Sequence, residues 1–66
     1  MGKIEKVIEE IKKILSVDSR GLTIQELANK TKTSRITAAM ALMNLEGAQI
    51  IDVRIIGNCK LHYLKK

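Results

Sequence analysis

Aliphatic residues recur every three or four positions at the start of the chain, with charged residues between them. The recurring positions are Ile4, Val7, Ile8, Ile11, Ile14 and Leu15. This spacing places the apolar side chains on one face of an α-helix, so it predicts an amphipathic helix over residues 3 to 16. The core of the domain covers that single stripe, which leaves no second apolar face for coiled-coil pairing.

A second helix is predicted after a polar break at residues 18 to 21. Thr23 followed by Glu26 is the pattern of a capping box, in which each side chain bonds the backbone N–H of the other residue. The residues of this helix predicted to face inward are Ile24, Leu27 and Ala28. We expect the helix to end near Lys30 or Thr31.

A third helix follows after a short polar turn at residues 31 to 33. Thr33 or Ser34 is the expected N-cap, and the helix runs to about Glu46. Gly47 is then placed to stop it. Two short helices joined by so tight a turn cross steeply, which is helix-turn-helix geometry.

The remaining residues predict a β-hairpin. Residues 50 to 56 are rich in β-branched side chains, with Ile51, Val53 and Ile55 on one strand face. Leu61 and Tyr63 form the matching apolar pattern on a returning strand. We expect Gly21 and Leu22 to add a third short strand to this small antiparallel sheet.

The loop of the hairpin decides which residues pair. A two-residue loop would place the polar residues Lys60 and His62 opposite the apolar face of the first strand. A three-residue loop over residues 57 to 59 instead pairs that face with Leu61 and Tyr63. The pattern therefore predicts a bulged hairpin with its tip at residues 57 to 59.

Length and charge limit the function. The chain has 66 residues, which predicts a single domain over residues 1 to 66 with one compact core. Its net charge of +5 favours a polyanionic partner, and nucleic acid is the leading candidate. A solvated, lysine-rich surface is the alternative that composition leaves open.

Few residues are suited to catalysis or metal binding. A lone Cys59 and a lone His62 fall short of a metal ligand set, and we expect neither a metal nor another cofactor. Cys59 is expected to be a small turn residue, and His62 a half-exposed strand residue without a role. No nucleophile has a base at suitable spacing and no glycine-rich phosphate loop is present, so we expect no enzyme and no small-molecule substrate. No apolar run is long enough to span a membrane, and a cytoplasmic location is expected.

Four segments resemble the winged helix-turn-helix superfamily, in particular archaeal and bacterial transcriptional regulators. These segments are LTIQELA at 22 to 28, TSRITA at 33 to 38, LEGAQIIDVR at 45 to 54 and GNCKLHYL at 57 to 64. They are similar to the second helix, the start of the recognition helix, the passage into the wing and the returning wing strand. The implied fold is mainly α with a small antiparallel β-hairpin: three helices plus a wing.

The resemblance implies binding of double-stranded DNA in transcriptional regulation, with helix 34 to 46 in the major groove and hairpin 50 to 64 as the wing. The residues that it assigns to DNA contact are Lys30, Lys32, Thr33, Ser34, Arg35, Thr37, Arg54 and Lys60. The first turn of the helix would contact bases, and the lysines beside the turn would hold phosphates. Thr33 would offer its hydroxyl and its amide to a phosphate, and the wing cations would clamp the duplex.

The rest of the third helix departs from that pattern because it is apolar on its outer side as well. Its inward positions are Ala38, Ala41, Leu42 and Leu45, and its outward positions include Ile36, Ala39, Met40 and Met43. Aliphatic side chains cannot read base edges by hydrogen bonding, although they can contact a thymine methyl. Burial of the stripe Ile36, Met40 and Met43 beneath the wing or the first helix is one interpretation. Its use as an interface with a protein partner or a second copy is the other, and it is the alternative function for the chain.

Overall fold

The computed structural model of the chain describes residues 3–18 and 20–65, which form three helices and a two-stranded antiparallel sheet. In chain order the elements are α1 (Lys3–Val17), α2 (Ile24–Thr31), α3 (Arg35–Gly47), β1 (Ile51–Ile56) and β2 (Cys59–Leu64). The predicted helices and hairpin are confirmed. Leu22 adds a single bridge to His62 in place of the expected third strand.

The core lies between the three helices and the base of the hairpin. The residues that form the buried cluster are Val7, Ile11, Leu15, Leu22, Leu27, Ala41, Leu42, Leu45 and Ile51. Every predicted inward residue of α3 is buried, and Ile24 of α2 packs against the cluster while half-buried. The α1 stripe is also confirmed, because its residues are either buried or packed on the same cluster. This packing fixes the orientation of α3, whose opposite side faces solvent.

Side chains cap the N-termini of α2 and α3. Thr23 accepts the backbone N–H of Glu26 at 3.2 Å, and Glu26 accepts the backbone N–H of Thr23 at 2.9 Å, so the predicted capping box is present. Ser34, and not Thr33, is the N-cap of α3, where its hydroxyl oxygen accepts the backbone N–H of Thr37 at 3.1 Å. These caps satisfy amide groups that have no partner inside the helix.

Both α2 and α3 end in the same arrangement, with a left-handed residue beyond the last helical turn. Lys32 has φ 57° and Gln49 has φ 61°. After Gln49, the N–H of Ile50 donates to the carbonyl of Leu45 at 2.9 Å, which is the six-to-one bond of a Schellman motif. The predicted end of α3 near Glu46 is correct to within one residue, but Gly47 is not the left-handed residue that terminates the helix. Gly47 is the last helical residue, and Gln49 adopts the left-handed conformation that ends the helix.

The hairpin has a two-residue loop, so the predicted three-residue loop is wrong. Ile56 pairs with Cys59, which places Cys59 at the start of β2 instead of in the turn. Only Gly57 of the two loop residues has positive φ, at 61°, as expected for a turn with glycine at its first central position. In this register Val53 pairs with His62, and the predicted pairing of Val53 with Tyr63 does not occur.

This register places a polar residue, His62, on the apolar face of the hairpin, where its ring has a hydrogen-bond partner. His62 is only 6% exposed, so the expectation of a half-exposed histidine is also wrong. Its ring Nδ1 donates to the carbonyl of Leu22 at 3.0 Å. The backbones of the same two residues exchange hydrogen bonds of 2.8 and 3.0 Å. Because the imidazole is satisfied, its burial carries no penalty for an unpaired polar group.

Candidate nucleic-acid interface

An open groove of about 380 Å³ lies between α3 and the inner face of the hairpin, which is the face that carries Lys60 and His62. Its lining residues are Ile24, Arg35, Ala39, Leu42, Met43, Glu46, Lys60 and His62. Arg35 comes from the first turn of α3 and Lys60 from the second strand, and both side chains are exposed. A smaller groove beside the hairpin loop is also lined by both cations. The fold thus places two positive charges that are distant in sequence beside the same groove between α3 and the hairpin, which is called the channel below.

The first turn of α3 holds its hydroxyl groups in a fixed arrangement. The Ser34 hydroxyl donates to Oγ1 of Thr37 at 3.1 Å while its oxygen caps the helix. The hydroxyl hydrogen of Thr37 is therefore directed away from Ser34 and can serve an outside acceptor. Arg35 follows Ser34 in the sequence, and its side chain lines the groove. Three predicted contact residues therefore lie in the first turn of α3, where the helix dipole favours an anion.

Thr33 is not placed as predicted. Its backbone N–H donates to the carbonyl of Ala28 at 2.9 Å, which closes the C-terminal end of α2. Its hydroxyl lies 2.9 Å from that of Thr31, a buried residue. The expectation that Thr33 offers its amide to a phosphate is therefore wrong, because the Schellman bond that ends α2 already uses that donor. Lys32, the left-handed residue of the same turn, is exposed.

Lys30 lies on a different surface from the groove. It lines a separate depression with Lys13, Ile14, Val17 and Asp18, at the C-terminal end of α1. Lys30 is exposed there and is not among the residues that line the channel beside α3. The structure thus places Lys30 on a different surface from Arg35 and Lys60.

Arg54 and Lys60 lie on opposite faces of the hairpin. Lys60 pairs with Ile55 on the face that carries His62, whereas Arg54 pairs with Leu61 on the other face. There the Arg54 guanidinium lies 5.8 Å from the centroid of the Tyr63 ring, in a cation–π contact. Lys60 therefore lies on the hairpin face directed toward α3, and Arg54 lies on the opposite face.

The outward stripe of α3 is exposed. The side chains of Ile36, Met40 and Met43 are 73%, 52% and 70% exposed, so they are not buried beneath the hairpin or α1. The burial interpretation of this stripe is thus wrong for the single chain. On the inner face of the hairpin Ile55 is also exposed, at 67%. The surface beside the two cations is consequently apolar over much of its area.

Sequence reasoning missed Glu46 and His62 as groove residues. Glu46 had a usable signal, because it follows Arg35 by eleven residues, or about three helical turns, and so falls on the same flank of α3. His62 had no such signal, since its position depends on the hairpin register and on the bridge to Leu22.

The described ranges 3–18 and 20–65 contain no group of three or more His, Cys, Asp or Glu side chains that could hold a metal ion. Within the same ranges no helix is long and apolar enough to cross a membrane. Cys59 is a free, exposed thiol.

Comparison with known protein families finds no matching family model, and no curated protein is significantly similar to the chain.

Proposed function

We propose that this chain is a winged helix-turn-helix protein that binds double-stranded DNA as a transcriptional regulator. In this proposal α3 enters the major groove and the hairpin acts as the wing. The observation that carries it is the position of Arg35 and Lys60 on one open channel, at the N-terminus of α3 and on the facing strand. A phosphate backbone that follows this channel would meet both charges.

The surrounding charge supports the same partner. The chain carries a net charge of +5, and exposed Lys32 adds a cation in the turn before α3. Ser34 and Thr37 supply hydroxyl groups at the start of α3, in the same helical turn as Arg35. These groups suit contacts to phosphates and to base edges.

Base recognition is expected to be modest. The large exposed apolar residues of α3 are Ile36, Met40 and Met43, none of which can hydrogen-bond to a base. Affinity in this proposal therefore comes mainly from phosphate contacts, and such binding weakens steeply with salt. Selectivity rests on Arg35 and on contacts between aliphatic side chains and thymine methyl groups.

The experiment is a fluorescence-anisotropy titration of a labelled duplex at several salt concentrations. We expect the logarithm of the association constant to fall linearly with the logarithm of salt concentration. Lys60→Ala should reduce that slope by about 0.9, the value for one phosphate contact. Lys6→Ala is the matched control, since Lys6 is an exposed lysine of α1 that does not line the channel. Absence of binding at the lowest salt, or equal effects of the two variants, would contradict the proposal.

A protein-contact role is the second candidate. Exposure of the stripe Ile36, Met40 and Met43 favours it, because contiguous exposed apolar side chains on small proteins mark interfaces. Methionine suits such contacts since its flexible side chain adapts to a partner surface.

A further inference from the structure

The apolar stripe of α3 is arranged almost symmetrically about Met40. Ile36 lies four residues before Met40, and Met43 lies three residues after it. All three side chains are more than half exposed on the side of α3 that is opposite the core. We infer that a second copy of this chain packs antiparallel on α3, with a twofold axis beside Met40, and that this dimer covers the surface proposed for DNA.

A twofold interface must be self-complementary, so that residue i contacts residue j and residue j contacts residue i. An antiparallel pair of α3 helices meets this condition for the apolar side chains. With Met40 at the axis, Ile36 contacts the partner's Met43 and Met43 contacts the partner's Ile36. The two Met40 side chains pack on each other at the centre, where flexible thioethers fill the space between the helices.

The charges beside the stripe follow the same symmetry. Arg35 lies five residues before Met40 and Glu46 lies six residues after it. Both line the channel between α3 and the hairpin, so they lie on the same flank of the helix. In an antiparallel pair the same flanks of the two helices lie side by side. Arg35 then faces the partner's Glu46 at one end of the interface, and the identical contact is made at the other end.

Arg35 and Glu46 cannot satisfy each other within one chain. They are eleven residues apart on α3, which separates them by about 16 Å along the helix axis. Neither takes part in the ion pairs found among the described residues, which join Lys12 to Glu9, Arg20 to Asp18 and Lys65 to Asp52. The single chain thus exposes an apolar stripe flanked by opposite charges at its two ends. A second copy supplies both the apolar contact and the missing partner of each charge.

Pairing of the two α3 helices excludes DNA from the same surface. Arg35 and the outer side of α3 would be covered in the dimer, whereas the proposed DNA contact requires them to be free. This consequence rests on the proposed function, while the dimer itself does not. The chain would therefore exchange between a dimer and a monomer bound to DNA, with protein concentration setting the balance.

The dimer is tested by sedimentation velocity over a wide range of protein concentration. Wild type should shift from monomer to dimer, and Met40→Lys should remain monomeric because it places two like charges at the axis. Arg35→Glu and Glu46→Arg should each weaken the dimer by roughly tenfold, since each creates like-charge contacts. The double variant Arg35→Glu with Glu46→Arg restores opposite charges and should recover most of the lost affinity. Because these side chains are exposed, far-UV circular dichroism should show all variants folded.

A wild type that stays monomeric at every concentration would overturn the inference. A double variant no better than the single ones would overturn the antiparallel arrangement. Adding excess labelled duplex to the wild-type dimer tests the link to DNA, and we expect one chain per bound site. DNA bound by an intact α3-paired dimer would overturn the exclusion. Dimerisation without any DNA binding would refute the proposed function and leave the dimer standing, so the two failures are distinguishable.

Discussion

The imidazole of His62 and the carbonyl of Leu22 join two parts of the chain that are forty residues apart. The oxygen of Leu22 accepts both the ring Nδ1 of His62 at 3.0 Å and the backbone N–H of the same residue at 2.8 Å. Through these bonds the segment before α2 is attached to the second strand of the hairpin. The contact therefore positions the hairpin against the helices, and with it the channel that contains Lys60.

We expect His62→Ala to lower the free energy of unfolding by about 2 kcal/mol, because it removes a buried side chain and one hydrogen bond. His62→Asn should lose about 1 kcal/mol less, since its amide nitrogen can take the place of Nδ1. Urea denaturation followed by far-UV circular dichroism measures both. Equal losses in the two variants would show that the ring bond to Leu22 does not contribute.

Sequence reasoning succeeded where local rules decide the structure. The capping box of Thr23 and Glu26 and the inward face of α3 follow from spacing alone, and both were predicted correctly. It failed at the hairpin because the pairing of strands was chosen by hydrophobicity. A hydrogen bond to Leu22 lets His62 occupy an apolar face, and that partner is remote in sequence.

The end of α3 was predicted to within one residue, but the residue that terminates the helix was not. A glycine after an apolar run is the commonest helix stop, yet Gly47 remains helical and Gln49 takes the left-handed position. The groove was predicted in part: the sequence resemblance named Arg35 and Lys60, which the fold brings together. It also named Lys30 and Arg54, which lie on other surfaces because residue type does not reveal direction.

Any side chain at position 21 in place of Gly21 should lower the stability of the fold. Its φ is 94°, a conformation that L-residues rarely adopt, and a Cβ there would lie 3.3 Å from Cβ of Leu61 and 3.4 Å from the carbonyl oxygen of His62. We expect Gly21→Ala to destabilise the protein by about 1–3 kcal/mol through backbone strain and crowding. Thermal unfolding provides the measurement. Gly57→Ala is a useful comparison, since Gly57 also has positive φ but has open space around it. A smaller loss at Gly57 would isolate the part caused by crowding.

The two residues at the end of α3 offer a test of where the helix stops. Gly47→Ala should raise the free energy of unfolding by about 0.5–1 kcal/mol, because Gly47 is helical and a Cβ there meets no atom within 4 Å. Gln49→Gly should also stabilise, by up to about 1 kcal/mol, since glycine relieves the left-handed strain. Gln49→Ala is the control and should change stability little. If Gly47→Ala instead destabilised the protein, Gly47 would be the residue that stops the helix in solution.

Arg54 should contribute to stability more than to DNA affinity. Its guanidinium lies over Tyr63 on the face of the hairpin opposite Lys60, so it is directed away from the channel that contains Arg35. We expect Arg54→Ala to cost about 0.5–1 kcal/mol of stability, the range for an exposed cation–π contact. The sequence contains one tyrosine and no phenylalanine or tryptophan, so the near-ultraviolet circular dichroism reports on Tyr63. We expect this signal to change in Arg54→Ala. In the duplex titration the slope with salt should stay close to that of wild type, whereas Lys60→Ala reduces it. Equal reductions from the two variants would mean that DNA contacts both faces of the hairpin.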